Sequence, residues 1–472
     1  MHLGRWPVQA RRIGDTLRGL LPAERVSWRL LWRYRRLGAE LGWLAVGQVL
    51  TVLGSLVSVR VVTELLTPEA NGEFALATTL AGFAQLPTLS PLANAALRYF
   101  APAQERGTVP QFLRLVGQQV ALLALGIGGV GLIAAALTAQ LAGAPWPTLC
   151  VGAALLAIVG GTSGVLSALQ NAARQRAVVA LHAALAKWLT IAALVVLVYQ
   201  FGSAGTVALG ATVLASGLVM LSQAGFLLPL FRRREHAPAA SGRPVTAREL
   251  LRYAFPFTLI ALPSWVQLFS DRWALQLFGT TADVGRFTVL VALGVTPLNL
   301  AFNLLAQFVE PLLYARAGDG TDPARLRSAL RATLLVLLLY GAGLLVLVLG
   351  AALLSGFIFS LLVAPAYREV APLLPLAVLA GGMFNLGQLA SILPLQFTES
   401  RALLAPKLGS GILTLLFNLA GSALLGTTGV LVASILASTI YCLWMGGITY
   451  QLALRSRARA HSSAEVVSFR SG

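Results

Sequence analysis

The chain has 472 residues, of which 57% are hydrophobic and 11% charged, with a mean hydropathy of +0.78. Soluble domains carry roughly 25% charged residues, so this composition excludes an ordinary water-soluble enzyme. A formal net charge of +18 raises nucleic-acid binding, and the distribution of that charge argues against it.

Residues 1–38 form a basic tail. In "ERVSWRLLWRYRRL", Val26, Leu30, Tyr34 and Leu37 share one helical face, and Arg25, Arg29, Arg33 and Arg36 share another. This pattern fits a helix lying on an anionic leaflet. The start lacks a short apolar core with a small-residue cleavage site, so no signal peptide is expected.

Apolar runs long enough to cross a bilayer then recur to the end. They predict twelve transmembrane helices near 39–62, 73–97, 112–138, 146–170, 178–200, 205–231, 252–278, 284–309, 329–352, 371–396, 402–425 and 428–452. Residues 329–363 are nearly unbroken, and we expect a helix there followed by an apolar cap, with breaks at Gly350 and Gly356. The expected organisation is therefore an all-α membrane protein. A six-helix bundle (39–231), a basic linker (232–251), a second six-helix bundle (252–452) and a tail (453–472) follow the first 38 residues.

With both ends in the cytoplasm, all but four of the 35 Lys and Arg fall in the tails, the inner loops or their margins. The four are Arg60, Arg272, Arg286 and Arg368. That asymmetry is the positive-inside pattern, and it makes nucleic acid an unnecessary partner. Cys150 and Cys442 sit in apolar segments and offer neither a disulfide framework nor a metal spacing.

The two halves carry similar turns. "LLTPEANGEF" from Leu65 matches "LFGTTADVGRF" from Leu277, aligning Gly72 with Gly285. "LQNAARQRA" from Leu169 matches "LQFTESRA" from Leu395, aligning Gln170 with Gln396. The offsets, 213 and 226 residues, are nearly half the chain. They point to an internal repeat of two bundles in the same orientation, for which a substrate site between the halves is usual.

Several spans carry polar stripes at helical spacing. The first has Gln48, Thr51, Ser55 and Ser58, and the fourth has Ser163, Ser167, Gln170, Asn171 and Arg174. The eighth has Thr296, Asn299, Asn303, Gln307 and Glu310, and the tenth has Asn385, Gln388, Gln396 and Glu399. Isolated hydroxyls and amides act as glue between helices; a five-residue stripe ending in a charge predicts a hydrated cavity.

On the seventh span Ser264, Gln267 and Asp271 share a face, with Arg272 beside it and Pro256 and Pro263 below. Charges at this depth are expensive without water or a partner. Two readings stand: both line the cavity, or Asp271 pairs with Arg60 of the other half. Neighbours in sequence point about 100° apart, so Asp271 and Arg272 are not expected to pair with each other. The cations available to the cavity are Arg60, Arg98, Arg174, Lys187 and Arg272. An anionic, phosphate-bearing substrate is their natural partner. Asp271 and Glu310 are the candidate ion-coupling acids. No nucleotide-binding, metal-protease or other catalytic motif is present, and no cofactor, metal or catalytic residue is expected.

The runs "RVVTELLTPEANGEFALATTLAGF", "ALRYFA" and "FSDRWALQLFGTTADVGRFTVLVALGVTPLNLAFNLLAQFVEPLL" resemble bacterial polysaccharide-biosynthesis flippases. So does "FSLLVAPAYREVAPLLPLAVLAGG", where only Tyr367 remains of a glycine–tyrosine pair common in that family. These flippases belong to the multidrug/oligosaccharidyl-lipid/polysaccharide exporter superfamily. The resemblance implies two bundles forming a V and alternating access. It implies a bacterial inner-membrane location and movement of a polyprenyl-pyrophosphate-linked oligosaccharide to the outer leaflet. It also implies a monomer working with membrane lipids, glycosyltransferases and a polymerase, and cavity cations such as Arg60, Arg272, Arg98 or Lys187 meeting the pyrophosphate. Proton-driven drug antiporters of the superfamily usually carry an acid within the first helix; here Glu40 and Glu64 only bracket it. Peptidoglycan-precursor flippases usually have fourteen helices. A membrane-embedded glycan polymerase would need long acid-bearing loops, which are absent.

Overall fold

The computed structural model describes residues 28–232, 243–318, 322–397 and 400–470. The tail before residue 28, the linker stretch 233–242 and Glu399 lie outside the described residues. Among the described residues the chain is helical, without strands. The N-terminal helices are α1 (Trp28–Leu65), α2 (Pro68–Gln85), α3 (Leu89–Glu105), α4 (Val109–Leu141), α5 (Trp146–Ala172), α6 (Arg176–Phe201) and α7 (Gly205–Arg232). After the linker come α8 (Ala247–Phe278) and α9 (Thr281–Leu290), which runs through a π-helical turn (Val291–Val295) into α10 (Thr296–Ala317). Next are α11 (Pro323–Leu362), a 3-10 helix (Pro365–Leu373), α12 (Leu374–Ala390), α13 (Ile392–Phe397) and α14 (Ser400–Arg470).

Nine stretches among the described residues are long and apolar enough to cross a bilayer, and the chain is a multi-pass membrane protein. Where the surroundings are lipid, a helix satisfies its own backbone and needs no polar stripe to stay helical. That explains α11. It runs unbroken for 40 residues, through Gly350 and Gly356, so the expected break and apolar cap are not found. A chain leaving the helix there would expose unpaired backbone groups to an apolar medium. The reverse occurs at Gly426, whose φ of 56° bends α14 into two legs. A left-handed residue with no Cβ ends one helix and starts the next without strain.

Helix α1 begins inside the expected basic tail and continues to Leu65. It packs on α6 through small residues. A methyl on Gly47 would lie 3.0 Å from the Ala180 Cβ, and one on Gly54 would lie 3.3 Å from the Lys187 Cβ. The seven-residue spacing on both helices makes a regular seam. One buried cluster joins α2–α5, and it also takes in Val245, just before α8, and Leu250 and Ala254 from the first turns of α8. A second cluster joins α8, α9, the end of α11, the 3-10 helix and α12 to Leu76 of α2.

The two sets of helices meet most closely at the end opposite the termini. A methyl on Gly285 would overlap the Pro68 carbonyl oxygen, and one on Gly72 would overlap the Thr281 carbonyl oxygen. Asn71 donates its Nδ2–H to the Gly285 carbonyl at 3.0 Å. Nearby, the 3-10 helix is tied to the end of α1. The Tyr367 hydroxyl donates to the Leu66 carbonyl at 2.9 Å, and the Ala364 N–H to Thr63 Oγ1 at 3.1 Å. Deeper in, the Trp265 and Trp273 indoles donate to the carbonyl and hydroxyl oxygens of Thr79 at 2.8 and 2.9 Å.

Candidate functional site

The polar residues of α8 face the other C-terminal helices. Two adjoining cavities, of about 230 and 380 Å³, run along this helix and share Gln267, Leu268 and Phe384 as walls. Ser264, Gln267 and Asp271 repeat at three and four residues, so one face of α8 lines both. The other walls come from the π-helical turn and α10 (Val291, Val295, Asn299), from α12 (Gly381, Phe384, Gln388) and from the two legs of α14. Lys407, Ser410 and Tyr441 border the cavity nearer the termini. Asp271, Arg272, Thr414 and Ser438 border the other.

Asp271 and Arg272 do pair with each other, against expectation. Arg272 folds its long arm back so that its guanidinium reaches Asp271 Oδ1 at 3.3 Å and the Leu268 carbonyl at 3.4 Å. Its Cζ sits 5.5 Å from the centre of the Phe269 ring. The side chains are only 11% and 16% exposed. The 100° separation of their Cα–Cβ bonds is bridged by the arginine's length, and poor solvation rewards the nearest opposite charge. The alternative partner, Arg60, is bound 2.9 Å from Glu64 one turn along α1.

The expected site residues divide. Arg272, Asp271, Gln267, Asn299 and Gln388 come together around the cavities. Asn385 is buried behind them and donates to Asn299 Oδ1 at 3.0 Å, orienting that amide. Asn303 and Gln307 are exposed on α10, with Glu310 partly so. Gln48 and Ser55 are half-buried on α1, where the Ser55 hydroxyl donates back to the Thr51 carbonyl at 2.8 Å. Arg98 is exposed on α3, and Arg174 in the α5–α6 turn. Lys187 lies on α6 with its Cβ against Gly54 of α1.

The stripe on α5 serves packing. Gln170 is fully buried and donates to the Gln223 carbonyl at 3.2 Å, while the Gln223 side chain bonds both Ser163 and Ser167. Gln223, Lys407, Phe384 and Tyr441 belong to no stripe or motif in the sequence. Lys407 reads as one more inner-loop charge, and Phe384 and Tyr441 blend with the apolar residues around them. Gln223 offers no local signal, being a lone amide in an apolar span.

Residues 37–313 match the protein family described as "Polysaccharide biosynthesis protein". No curated protein sequence matches the chain. Among solved structures, the inward-facing conformation of a multidrug resistance MATE family transporter of the MOP superfamily is similar with a TM-score of 0.63 at 17% identity, over 88% of this chain and 96% of that one. The lipid II flippase MurJ in an inward closed conformation is similar with a TM-score of 0.65 at 12% identity, over 89% and 91% of the two chains. The outward-facing conformation of a MATE transporter gives 0.55 at 17% identity, over 89% and 95%. At these identities the likeness is one of fold.

Proposed function

The chain belongs to the polysaccharide biosynthesis protein family, and on that footing we propose that it is a flippase. In this reading it moves a polyprenyl-pyrophosphate-linked oligosaccharide from the inner to the outer leaflet of a bacterial cytoplasmic membrane. Family membership and a fold shared with MOP transporters support membrane transport. The observation that carries the substrate reading is a walled, hydrogen-bonding cavity system within membrane-spanning helices. Apolar cargo needs no such lining, and polar groups at this depth are costly unless they serve something.

We read the helices as twelve crossings, with α2 and α3 as one, α9 and α10 as one, and the legs of α14 as two. Both termini then face the cytoplasm. Thr67 and Thr280, Pro68 and Thr281, and Gly72 and Gly285 are each 213 residues apart, and Gly72 lies against Thr281 as Gly285 lies against Pro68, which supports an internal repeat. The joined end is then the outer end, and transport requires those contacts to part while the halves rock. Arg272 stays the proposed cavity cation. Arg60, Arg98, Arg174 and Lys187 remain proposed contacts for the anionic group between the halves. Asp271 and Glu310 remain the proposed coupling acids.

The test is depletion of the protein followed by leaflet-resolved analysis of lipid-linked sugars. Build-up on the cytoplasmic leaflet is expected. Unpolymerised units collecting outside would point to a polymerase and overturn the reading.

A further inference from the structure

The chemistry along α8 is uneven, and that unevenness separates the parts of an amphipathic substrate. At the outer end the Arg272 guanidinium already holds a carboxylate, a carbonyl and an aromatic ring. A diphosphate placed there would meet the Asp271 carboxylate as well as the arginine. In the middle, Gln267 and Gln388 make no side-chain hydrogen bond among the described residues and border the cavities with Phe384. Each free amide offers two N–H donors and an acceptor oxygen. At the inner mouth Lys407 is partly exposed, and no carboxylate pairs with it among the described residues.

A polyprenyl tail would leave those amides unpaired in an apolar environment, at a cost for each buried group. A pyranose suits them. Its hydroxyls both donate and accept, and its C–H face packs on an aromatic ring. The cavities, at about 230 and 380 Å³, adjoin and are comparable to sites for small organic molecules, roughly 300–1,000 Å³.

We propose that this channel inside the C-terminal half is the glycan-binding subsite, with Gln267 and Gln388 reading sugar hydroxyls and Lys407 meeting the anionic group that joins glycan to lipid. The assignment rests on the flippase reading above and makes it specific. The glycan enters the C-terminal bundle, the diphosphate stays at the inner mouth, and the tail remains in lipid. Arg272 then faces the far end of the glycan, and Lys407 takes over at the inner mouth the contact with the anionic group that was proposed above for Arg60, Arg98, Arg174 and Lys187. Selectivity among glycans becomes a property of two glutamines.

The test uses the full-length protein in its own membrane with the cell's own substrate. Photoreactive benzoylphenylalanine replaces Phe384, the cells are irradiated, and the purified protein is treated with mild acid, which splits the sugar–phosphate bond. The expected product is a peptide containing position 384 that keeps a sugar mass and has lost the lipid. Retention of a polyprenyl chain, a phospholipid adduct, or no adduct overturns the assignment. In parallel, Lys407→Gln lowers export about tenfold or more, the scale of a lost charge-assisted hydrogen bond, and Lys407→Arg restores it. Unchanged export in Lys407→Gln removes the anion contact. The flippase reading fails separately, if depletion leaves no lipid-linked glycan on the cytoplasmic leaflet whatever is attached at position 384.

Discussion

Asp271 and Arg272 show what a charge requires at this depth. Each is poorly exposed and each has the other within 3.3 Å. Removing one partner of such a pair leaves an uncompensated charge and costs about 3–5 kcal/mol, whereas removing both is often near neutral. Arg272→Ala is therefore expected to lower thermal stability in detergent more than the Asp271→Ala/Arg272→Ala pair does, and, on the flippase reading proposed above, to abolish glycan export. Equal stability of the two variants would show that water already solvates the carboxylate. Gln223 is a second such point. Its side chain bonds Ser163 and Ser167, and its carbonyl receives Gln170. Gln223→Leu removes the side-chain bonds and strands two hydroxyls, for an expected loss of about 1–3 kcal/mol measured by thermal unfolding. From the sequence, Gln170 belongs to a stripe of the same quality as the one holding Asn299. Only the facing helix tells them apart.

At the scale of elements, helix ends are set by caps that the sequence displays. Thr246 and Glu249 form a capping box at the start of α8, and Thr280 and Asp283 form another at α9. Glu249 lies ahead of the membrane span. The Thr246 N–H and hydroxyl, at 2.9 and 3.0 Å, hold its carboxyl below the ordinary carboxylate range. A value lowered by folding stabilises the folded form above the unfolded value of about 4.3 and stops doing so as pH falls through the lowered one. Amide exchange in the first turn of α8 should accordingly quicken below that point in the native protein and show no such step in Glu249→Gln. The 3-10 helix is held differently, by long-range bonds to α1. Tyr367→Phe removes a buried donor from the Leu66 carbonyl, at about 1–3 kcal/mol. Spin-label distances between α1 and the 3-10 helix should lengthen in a larger fraction of molecules. An unchanged distribution would make Tyr367 a packing residue alone.

For the whole molecule the decisive contact is reciprocal. Gly72 lies against the backbone of Thr281, and Gly285 against that of Pro68, so neither tolerates a methyl without moving a helix. Backbone atoms cannot turn aside as a side chain can. Gly285→Ala is expected to cost about 1–3 kcal/mol or more by overpacking and to bias the protein toward a state with its outer end parted. Labelling of a cysteine placed at Asn71 by a membrane-impermeant thiol reagent reports this. Labelling that stays slow in the variant would mean the helices absorb the methyl without separating.

The sequence by itself determined the membrane class and the recurrence of apolar runs long enough to cross a bilayer. These are sums over neighbouring residues, and lipid responds to them span by span. It also displayed the matched pair Gly72 and Gly285, because close backbone approach between two helices leaves glycine as its mark. Tertiary structure alone decided which polar side chains of the stripes line a cavity. Gln170 is answered by Gln223, 53 residues away, while Asn299 is set by Asn385, 86 residues away. It also decided that Arg272 turns back on Asp271, that α11 passes its glycines without a break, and that Lys407 stands at a cavity mouth. Each of these depends on what lies opposite a helix face, and in an apolar medium that is fixed by helices distant in the chain.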